Sequence, residues 1–303
     1  MRVATHVPPR PRCMRHTARH VSRELWSIGM GAGLALACAG VQPSVRQRAA
    51  VAMERRNYAE ATRLLREHLR QHPDAIAERQ LLIRVLAASG QLGEAREETE
   101  RLRKALPEGD PLPYIELGHA FELSHRYEEA LALYDAASEV APEDVRGPKT
   151  AGLRAARWGE VEIAEPRLRE AARRDPRDAE VWHALGLVRA RLGDMEGARE
   201  AYTNGLRADP GAVENHLGLA SLAVQQDQPS VALVHYSALL AARPRFAAGY
   251  LGQSWAFLRL GRYDEAERAL DRGAALGANR RVVARQRQLL EHLRKAAEVK
   301  EKR

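Results

Sequence analysis

The chain has 303 residues, rich in Ala, Leu, Arg and Glu and only 5% aromatic, a composition that favours helices and argues against a β-rich domain. Its formal net charge of +8 comes from the two ends: residues 1–37 contain six Arg and one Glu, and residues 280–303 contain nine Lys or Arg and three Glu. The part between them has 33 basic and 36 acidic residues, so it lacks the positive surface on which phosphates release counterions, and we do not expect nucleic-acid binding.

The first 37 residues have the pattern of an export signal. A basic segment precedes Leu25–Ala37, an uncharged and mostly apolar stretch of 13 residues. This stretch is shorter than the about 20 residues that a bilayer-spanning helix needs, but it suits the core of a signal peptide. We therefore expect residues 1–37 to be a signal peptide, with Met14 as an alternative start. A cytosolic protein with an amphipathic leader is the alternative interpretation.

Cys38 directly follows this segment. The stretch Leu34–Gly40, with the sequence LALACAG, resembles a bacterial lipobox, in which the leader is cut before a cysteine that carries the lipid; Ala35 departs from the usual leucine. Removal of the leader would leave Cys38 as the only cysteine, and lipidation explains a lone cysteine in an exported protein. Because Ala39 rather than aspartate follows, the resemblance implies a lipidated tether over residues 38–44 and a lipid anchor in the outer membrane, on its periplasmic side. A soluble secreted or periplasmic protein is the alternative.

Prolines recur through the rest of the chain at a nearly constant interval. The spacings are 34, 35, 34, 34 and 34 residues, between Pro73, Pro107, Pro142, Pro176, Pro210 and Pro244. A period near 34 is typical of helix–turn–helix repeats. Because proline lacks an amide hydrogen and disfavours helix at the preceding residue, each proline closes one repeat. Counting back from the prolines and on past the last gives seven repeats, which start at Gln42, Ile76, Pro111, Val145, Ala179, Val213 and Ala247.

Small residues recur at two positions of the repeat. The twentieth residue is alanine in all seven repeats: Ala61, Ala95, Ala130, Ala164, Ala198, Ala232 and Ala266. The eighth is small except for Ile83 in the second repeat: Ala49, Gly118, Gly152, Gly186, Ala220 and Ser254. Two antiparallel helices approach closely only where no bulky side chain separates them, so we expect these two positions to face each other.

These residues, with Tyr114, Leu117 and Phe121 in the third repeat, resemble the tetratricopeptide repeat over about Gln42–Arg280. The resemblance implies an all-α fold, a right-handed superhelical solenoid of about seven repeats over residues 45–280. A capping helix and basic tail over residues 281–303 would then cover the apolar flank of the last repeat, with Leu289 and Leu293 in contact with it. Arg48 and Pro148 depart from the pattern, so we expect short or irregular helix starts in the first and fourth repeats.

The resemblance also implies a concave groove lined by the first helix of each repeat, which holds a protein or peptide partner. The family positions that line such a groove are basic at its centre and apolar at its far end here. This chemistry favours a segment with acidic residues beside apolar anchors. The candidate groove residues are Arg84, His119, Arg146, Lys149, Arg157, His183, Arg191, Leu251, Trp255 and Arg259. Tetratricopeptide clamps for chaperone tails pair a lysine with an asparagine at two of these positions, and no repeat has that pair.

No motif indicates catalysis, a metal or a cofactor. The chain lacks an H-E-x-x-H pair, a glycine-rich phosphate loop and a C-x-x-C pair. His68 and His72 share a helix face but have no further ligand at metal-binding spacing, so a surface pair is the preferred interpretation. We therefore expect no enzyme, no cofactor and no small-molecule substrate.

These expectations describe a non-catalytic scaffold, anchored to a membrane, that assists assembly of an envelope complex. Small lipoproteins with about six such repeats resemble the pilotins of type IV pilus systems, which help secretin channels to assemble. Two alternatives remain: an adaptor of envelope polysaccharide or peptidoglycan machinery, and a cytosolic regulatory subunit.

Overall fold

The computed structural model describes residues 43–301, and every regular element in this range is an α-helix. The predicted signal peptide, Cys38 and most of the predicted tether lie outside the described residues. The helices, numbered in chain order, form seven consecutive hairpins. Their first helices are α1 (Val45–Glu54), α3 (Ile76–Ala88), α5 (Leu112–Leu123), α7 (Arg146–Trp158), α9 (Ala179–Arg191), α11 (Val213–Gln225) and α13 (Ala247–Arg259). Their second helices are α2 (Tyr58–Gln71), α4 (Leu92–Ala105), α6 (Tyr127–Val140), α8 (Val161–Arg174), α10 (Met195–Ala208), α12 (Pro229–Ala242) and α14 (Tyr263–Ala275). A fifteenth helix, α15 (Arg280–Glu301), follows the last hairpin.

Each helix packs against the helices before and after it, and the hairpins stack into a solenoid. First helices of neighbouring hairpins also contact one another, for example α3 with α5 and α9 with α11, whereas neighbouring second helices are farther apart. The stack therefore curves with the first helices on its inner side. The predicted all-α solenoid of seven repeats with a following helix is confirmed. Among residues 43–301 no helix has both the length and the apolar character that crossing a bilayer requires.

A residue with positive φ sits in the turn between the two helices of every hairpin. Four of the seven are glycine, which adopts this left-handed conformation without steric cost, whereas Arg56, His125 and Asp227 adopt it at φ values of 57°, 59° and 51°. In the third hairpin His125 makes the turn, and Arg126 directly precedes α6.

The small residues pack where the two helices of a hairpin cross. All seven alanines at the twentieth position are completely buried. A Cβ atom built on Gly118 would lie 2.4 Å from the ring of Tyr134, and one on Gly186 would lie 2.5 Å from the ring of Tyr202. In these two repeats the bulky twenty-fourth residue lies nearest to the eighth position, because the missing side chain makes room for its ring.

A recurrent hydrogen bond ties successive hairpins together. The fourth residue of a repeat donates to the carbonyl of the proline that closes the preceding repeat. Trp182 Nε1 lies 2.9 Å from the Pro176 oxygen, and the Tyr250 hydroxyl lies 3.1 Å from the Pro244 oxygen. Arg79 donates in the same way at 2.6 Å to Pro73. A carbonyl that follows a helix end has no partner within that helix, so the next repeat satisfies it.

The first and fourth repeats, whose sequences depart from the repeat pattern, differ in the length of their first helices. Helix α1 has only 10 residues, as predicted, and starts after Ser44, whose side chain accepts from the Gln47 amide at 3.2 Å. Helix α7 has 13 residues, like most of the first helices, so the predicted irregular start is wrong there. Pro148 is the third residue of α7, where its missing amide hydrogen costs no intrahelical bond.

Helix α15 covers the last hairpin with one face. Val283 and Leu290 are buried, and Leu293 packs beside Leu290. Arg287 and Arg294 on the same helix bind Asp271 and Asp264 of α14, each at 2.6 Å. The predicted covering role of Leu289 is wrong, since this side chain remains 43% exposed on another face.

Candidate binding groove

The groove is the inner surface formed by the seven first helices. The charge that it presents to a ligand depends on which of its charged side chains are already paired within the array. The candidate residues divide into four groups: those held in a buried network, those neutralised by carboxylates of the array itself, those without a carboxylate partner among residues 43–301, and those partly covered by apolar or aromatic packing.

A buried carboxylate organises the groove near its N-terminal end. Glu116 on α5 is only 1% exposed and accepts two hydrogen bonds from Arg84 on α3, at 2.6 and 2.8 Å, and one from Gln80 at 2.9 Å. Burial alone would raise the pKa of this carboxyl, but the neighbouring His119 ring and the Arg84 guanidinium lower it to about 2. Glu116 is therefore charged at neutral pH, and Arg84 is occupied in holding two repeats together.

The same network continues into the fourth repeat. Glu122 accepts from the Tyr134 hydroxyl at 3.1 Å and lies 3.3 Å from Nε of Arg154 on α7. Nη2 of Arg154 lies 3.4 Å from Nε2 of His119. Burial, with the nearby Glu122 charge, raises the pKa of Tyr134, so this hydroxyl stays protonated. The candidate His119 thus lies inside a polar network that joins α3, α5 and α7.

Sequence analysis did not single out Glu116 or Arg154. Both occupy positions of the first helix, the sixth and the tenth, that pack against the preceding hairpin. Most other repeats have small or apolar residues at these positions, such as Ala184 and Val188 in the fifth. The sequence did contain a signal for both residues. Each is a charged residue at an inward-facing position, and the preceding repeat has a residue of opposite charge that can pair with it.

Three further candidate cations are neutralised by carboxylates of the array. Arg146 lies 2.7 Å from Asp144 and 3.3 Å from Asp110. Lys149 lies 2.6 Å from Asp178 and 2.7 Å from Glu180. Arg259 pairs with Asp227. Burial lowers the pKa of Lys149, but its two carboxylate partners outweigh this and raise it. The predicted basic centre is therefore largely compensated, which lowers the field that an acidic ligand would meet.

Arg157 and Arg191 differ from these three cations in their surroundings. Both are exposed, and neither has a carboxylate within ion-pair distance among residues 43–301. They occupy the same position in adjacent repeats, each one helical turn after a leucine, Leu153 or Leu187. Leu187 is 38% exposed, and Leu123, at the equivalent position to the arginines in the preceding repeat, is 41% exposed. We name Leu123, Leu153, Arg157, Leu187 and Arg191 the leucine–arginine patch.

The remaining candidates are partly covered. His183 packs against the Tyr202 ring with centroids 5.9 Å apart, and burial lowers its pKa, so it is neutral at neutral pH. Leu251 packs against the cluster formed by the last repeat and α15, and Trp255 packs against the apolar residues of α11 and α12. Sequence analysis placed Trp255 among the groove residues, and the structure buries part of its indole.

The pair His68 and His72 stacks near the end of α2, with ring centroids 4.5 Å apart. Among the described residues, no three His, Cys, Asp or Glu side chains come together closely enough to hold a metal ion.

Comparison with known proteins supports the fold. Models of the tetratricopeptide repeat match residues 52–114, 150–213 and 217–280, which together make up more than half of the chain. No curated protein sequence matches the chain significantly.

Solved structures of similar fold have low sequence identity. The C-terminal part of a repeat-containing protein from Cytophaga hutchinsonii is 15% identical with a TM-score of 0.58, and the match covers 80% of this chain and 98% of that one. YrrB, described as a tetratricopeptide protein with an unusual peptide-binding site, is 17% identical with a TM-score of 0.52 and covers 65% of this chain and 97% of its own. MamA is 17% identical with a TM-score of 0.51, over 55% of this chain and 91% of its own. At these identities the likeness concerns the fold alone, but with the family matches it leads to one conclusion. The chain belongs to the tetratricopeptide repeat family.

Proposed function

We propose that the chain is a non-catalytic scaffold whose groove binds a peptide segment of a protein partner at the leucine–arginine patch. Tetratricopeptide repeat proteins are protein-interaction scaffolds. One observation supports this particular location. Within residues 43–301, Arg157 and Arg191 have no carboxylate partner and lie one turn after the partly exposed Leu153 and the exposed Leu187, whereas the other candidate cations of the groove are compensated within the array.

The patch indicates the chemistry of the segment. An arginine fork binds a carboxylate through two parallel hydrogen bonds, and the exposed leucines gain from burial against apolar side chains. A segment with acidic residues spaced between apolar ones satisfies both. YrrB, which has a similar fold, is described as having an unusual peptide-binding site, which supports a peptide ligand for a groove of this kind.

A binding assay with a defined probe tests this proposal. We expect a fluorescein-labelled peptide of alternating leucine and glutamate to bind the wild type, and the double variant Arg157→Glu, Arg191→Glu to weaken binding at least tenfold. The matched control is Arg177→Glu, Arg245→Glu, which reverses two exposed arginines in turns outside the groove. Equal binding by both double variants would contradict the location, and absence of binding by the wild type would contradict the ligand chemistry.

We further propose that the scaffold is a lipoprotein anchored through Cys38 at the periplasmic face of the outer membrane, where it assists assembly of an envelope complex in the manner of a secretin pilotin. The lipobox-like sequence supports this, and α1 begins at Val45, only seven residues after that cysteine. The array would then lie close to the membrane surface. An adaptor of polysaccharide or peptidoglycan machinery would use the same anchor.

Fractionation of cells that express wild type and Cys38→Ala tests the anchor. We expect the wild type in the outer-membrane fraction, labelled by a fatty-acid analogue, and the variant in the soluble fraction without label. A wild type that is soluble and unlabelled would contradict the lipoprotein proposal and favour a secreted or cytosolic protein. Affinity capture from the membrane fraction would then distinguish a secretin from cell-wall machinery.

A further inference from the structure

Two histidines of the sixth repeat face each other across its hairpin. Nδ1 of His216 on α11 lies 3.2 Å from Nδ1 of His235 on α12, and the ring centroids are 5.5 Å apart. This centroid distance is close to the separation of the two nitrogens plus the distance from each nitrogen to the centre of its own ring. The rings therefore point their Nδ1 atoms at each other head-on, which is the geometry of an N–H···N hydrogen bond.

The second nitrogen of His216 determines which ring donates. Nε2 of His216 lies 3.0 Å from the Pro210 oxygen, and a carbonyl only accepts, so Nε2 carries a hydrogen. In a neutral imidazole the other nitrogen then has a lone pair, so Nδ1 of His216 accepts and Nδ1 of His235 donates. Two hydrogen bonds in series thus join α12 to α11, and α11 to the loop that follows α10.

His216 occupies the fourth position of its repeat, whose side chain binds the proline carbonyl that closes the preceding repeat. Trp182 and Tyr250 make the same bond with groups that keep their hydrogen at mildly acidic pH. Histidine is the residue type whose charge ordinarily changes between pH 5 and 8. The junction between the fifth and sixth repeats therefore depends on a side chain that can gain a charge in mild acid.

The space between the two rings holds one hydrogen. One added proton is tolerated, because one ring then carries the charge while Nδ1 of the other still accepts. A second added proton is not tolerated, since both Nδ1 atoms would carry a hydrogen and two positive rings would face each other. The second charge can be accommodated only if the rings separate.

The neighbouring charged groups do not compensate a second charge. Neither ring has a carboxylate within ion-pair distance among residues 43–301, and α12 contains no Asp, Glu, Lys or Arg. Glu214 on α11 pairs with Arg243 at 2.8 Å, and Arg259 on α13 pairs with Asp227. The remaining titratable groups of α9, α10, α12, α13 and the loop after α10 form no ion pair or hydrogen bond with either ring: Glu180, His183, Arg189, Arg191, Glu196, Arg199, Glu200, Tyr202, Arg207, Asp209, Tyr236 and Tyr250.

We propose that His216 and His235 form an acid-sensitive lock, which holds the sixth repeat closed and attached to the fifth at neutral pH and opens when both rings are protonated. Burial and the neighbouring His216 ring lower the pKa of His235 below its ordinary 6.5, so the unfolded chain binds this proton first as the pH falls. The stabilising contribution of the lock is therefore fully present above about pH 6.5 and is lost as the pH falls below it. Because α11 is a first helix, opening loosens the groove wall that the sixth repeat supplies.

The two nitrogens are too close for a metal ion on the line between them. Two head-on nitrogens bonded to zinc would lie about 4 Å apart, twice the Zn–N bond of about 2.0–2.1 Å, whereas these lie 3.2 Å apart. A metal would require both rings to turn, and the bond from His216 to the Pro210 oxygen opposes such a turn. Zinc is therefore a competing outcome of the test.

Hydrogen exchange of the full-length wild type and of His216→Tyr tests the lock. Tyr250 makes the bond to the preceding proline in the seventh repeat, so the variant keeps the junction and loses the charge. After correction for the intrinsic pH dependence of exchange, we expect α11 and α12 to exchange at least tenfold faster at about pH 5.5 than at about pH 7.5 in the wild type, and less than twofold faster in the variant. The control His292→Tyr changes an exposed histidine of α15 and should respond as the wild type does.

An equal response of the wild type and His216→Tyr would overturn the proposal. Loss of the wild-type response on addition of EDTA would also overturn it and would assign the pair to a metal ion. A second measurement does not depend on the variant: NMR titration of the two rings in the wild type should show two steps more than one pH unit apart. Rings that titrate together in a single step would show that no proton is shared between them.

Discussion

Glu116 shows at the scale of a single residue how a charge is tolerated in the interior of this array. Its carboxylate is buried, yet it accepts hydrogen bonds from Arg84 and Gln80 and lies 3.8 Å from Nδ1 of His119. All of these partners come from α3 or from its own helix, so the residue joins two repeats. Removal of a buried charge partner costs more than the pair contributes, since the remaining charge is left without compensation.

We expect Glu116→Gln to destabilise the protein by about 2 kcal/mol, because Arg84 then loses its carboxylate while partly buried. This estimate is below the about 3–5 kcal/mol typical of fully buried pairs, since 31% of the Arg84 side chain is exposed to water. Thermal unfolding followed by circular dichroism measures the change. The control Glu60→Gln breaks a solvent-exposed pair with Arg63 and should change little. Equal effects of the two substitutions would contradict this account.

The same residue predicts a pH dependence. The pKa of Glu116 falls from an ordinary 4.5 to about 2 in the folded protein, so the unfolded chain binds its proton first as the pH decreases. Its contribution is fully present above pH 4.5 and is lost between pH 4.5 and about 2. We expect the stability gap between wild type and Glu116→Gln to close over that interval. A gap that stays constant down to pH 2 would show that the carboxylate charge is not what stabilises the fold.

Several helices of this array approach one another closely at glycines, where a side chain is missing. Gly147 near the start of α7 gives the tightest example that involves backbone. A Cβ atom there would lie 2.5 Å from the Ser138 nitrogen and 2.7 Å from its Cα on α6. Backbone atoms within a helix cannot rotate away as a side chain can, so this contact fixes the spacing of the third and fourth repeats.

We expect Gly147→Ala to cost about 2 kcal/mol, because overpacking against backbone outweighs the roughly 1 kcal/mol by which alanine favours a helix. Gly93 in α4 is the matched control, since nothing lies within 4 Å of a Cβ built there. Gly93→Ala should be neutral or stabilising by up to about 1 kcal/mol. Urea unfolding of the two variants measures the difference. A stable Gly147→Ala protein would mean that α6 and α7 can move apart without loss.

At the scale of the whole molecule, each hairpin contacts mainly its neighbours, so stability is close to a sum of local terms. Fast local opening should therefore be confined to the part of the stack that a substitution weakens. The end of the described array is well suited to such a test, because α15 covers the last hairpin with two buried residues while Leu289 beside them is exposed.

We expect Leu290→Ala to weaken the cap by about 2 kcal/mol, which speeds amide exchange in α13, α14 and α15 roughly 30-fold and leaves α3 to α6 unchanged. Hydrogen exchange with mass spectrometry resolves these segments. The control Leu289→Ala removes an exposed side chain and should leave exchange nearly unchanged. Faster exchange throughout the chain would show that the array unfolds as one cooperative unit.

The fold was predictable because the recurring prolines and alanines report local geometry that every repeat must satisfy. The groove was less predictable. The family positions locate Arg84, Lys149 and Arg259 on first helices, but their pairing depends on carboxylates that lie about 30 residues away in the chain. Exposure of Leu289 and partial burial of Trp255 depend on how α15 sits on the last hairpin, which the repeat pattern does not specify.

The ring of Tyr202 lies between two glycines, Gly186 of its own repeat and Gly218 of the next one, and a Cβ atom on either would lie about 2.5 Å from it. The fifth repeat therefore supplies a ring whose space is provided partly by the sixth, and Tyr236 of the sixth repeat fits in the same way against Gly252 of the seventh. Duplication, deletion or shuffling of units within the gene would bring together rings and glycines that do not match. The order of the units is thus part of the information that the sequence must preserve, and length variants of this array should arise by changes at its ends.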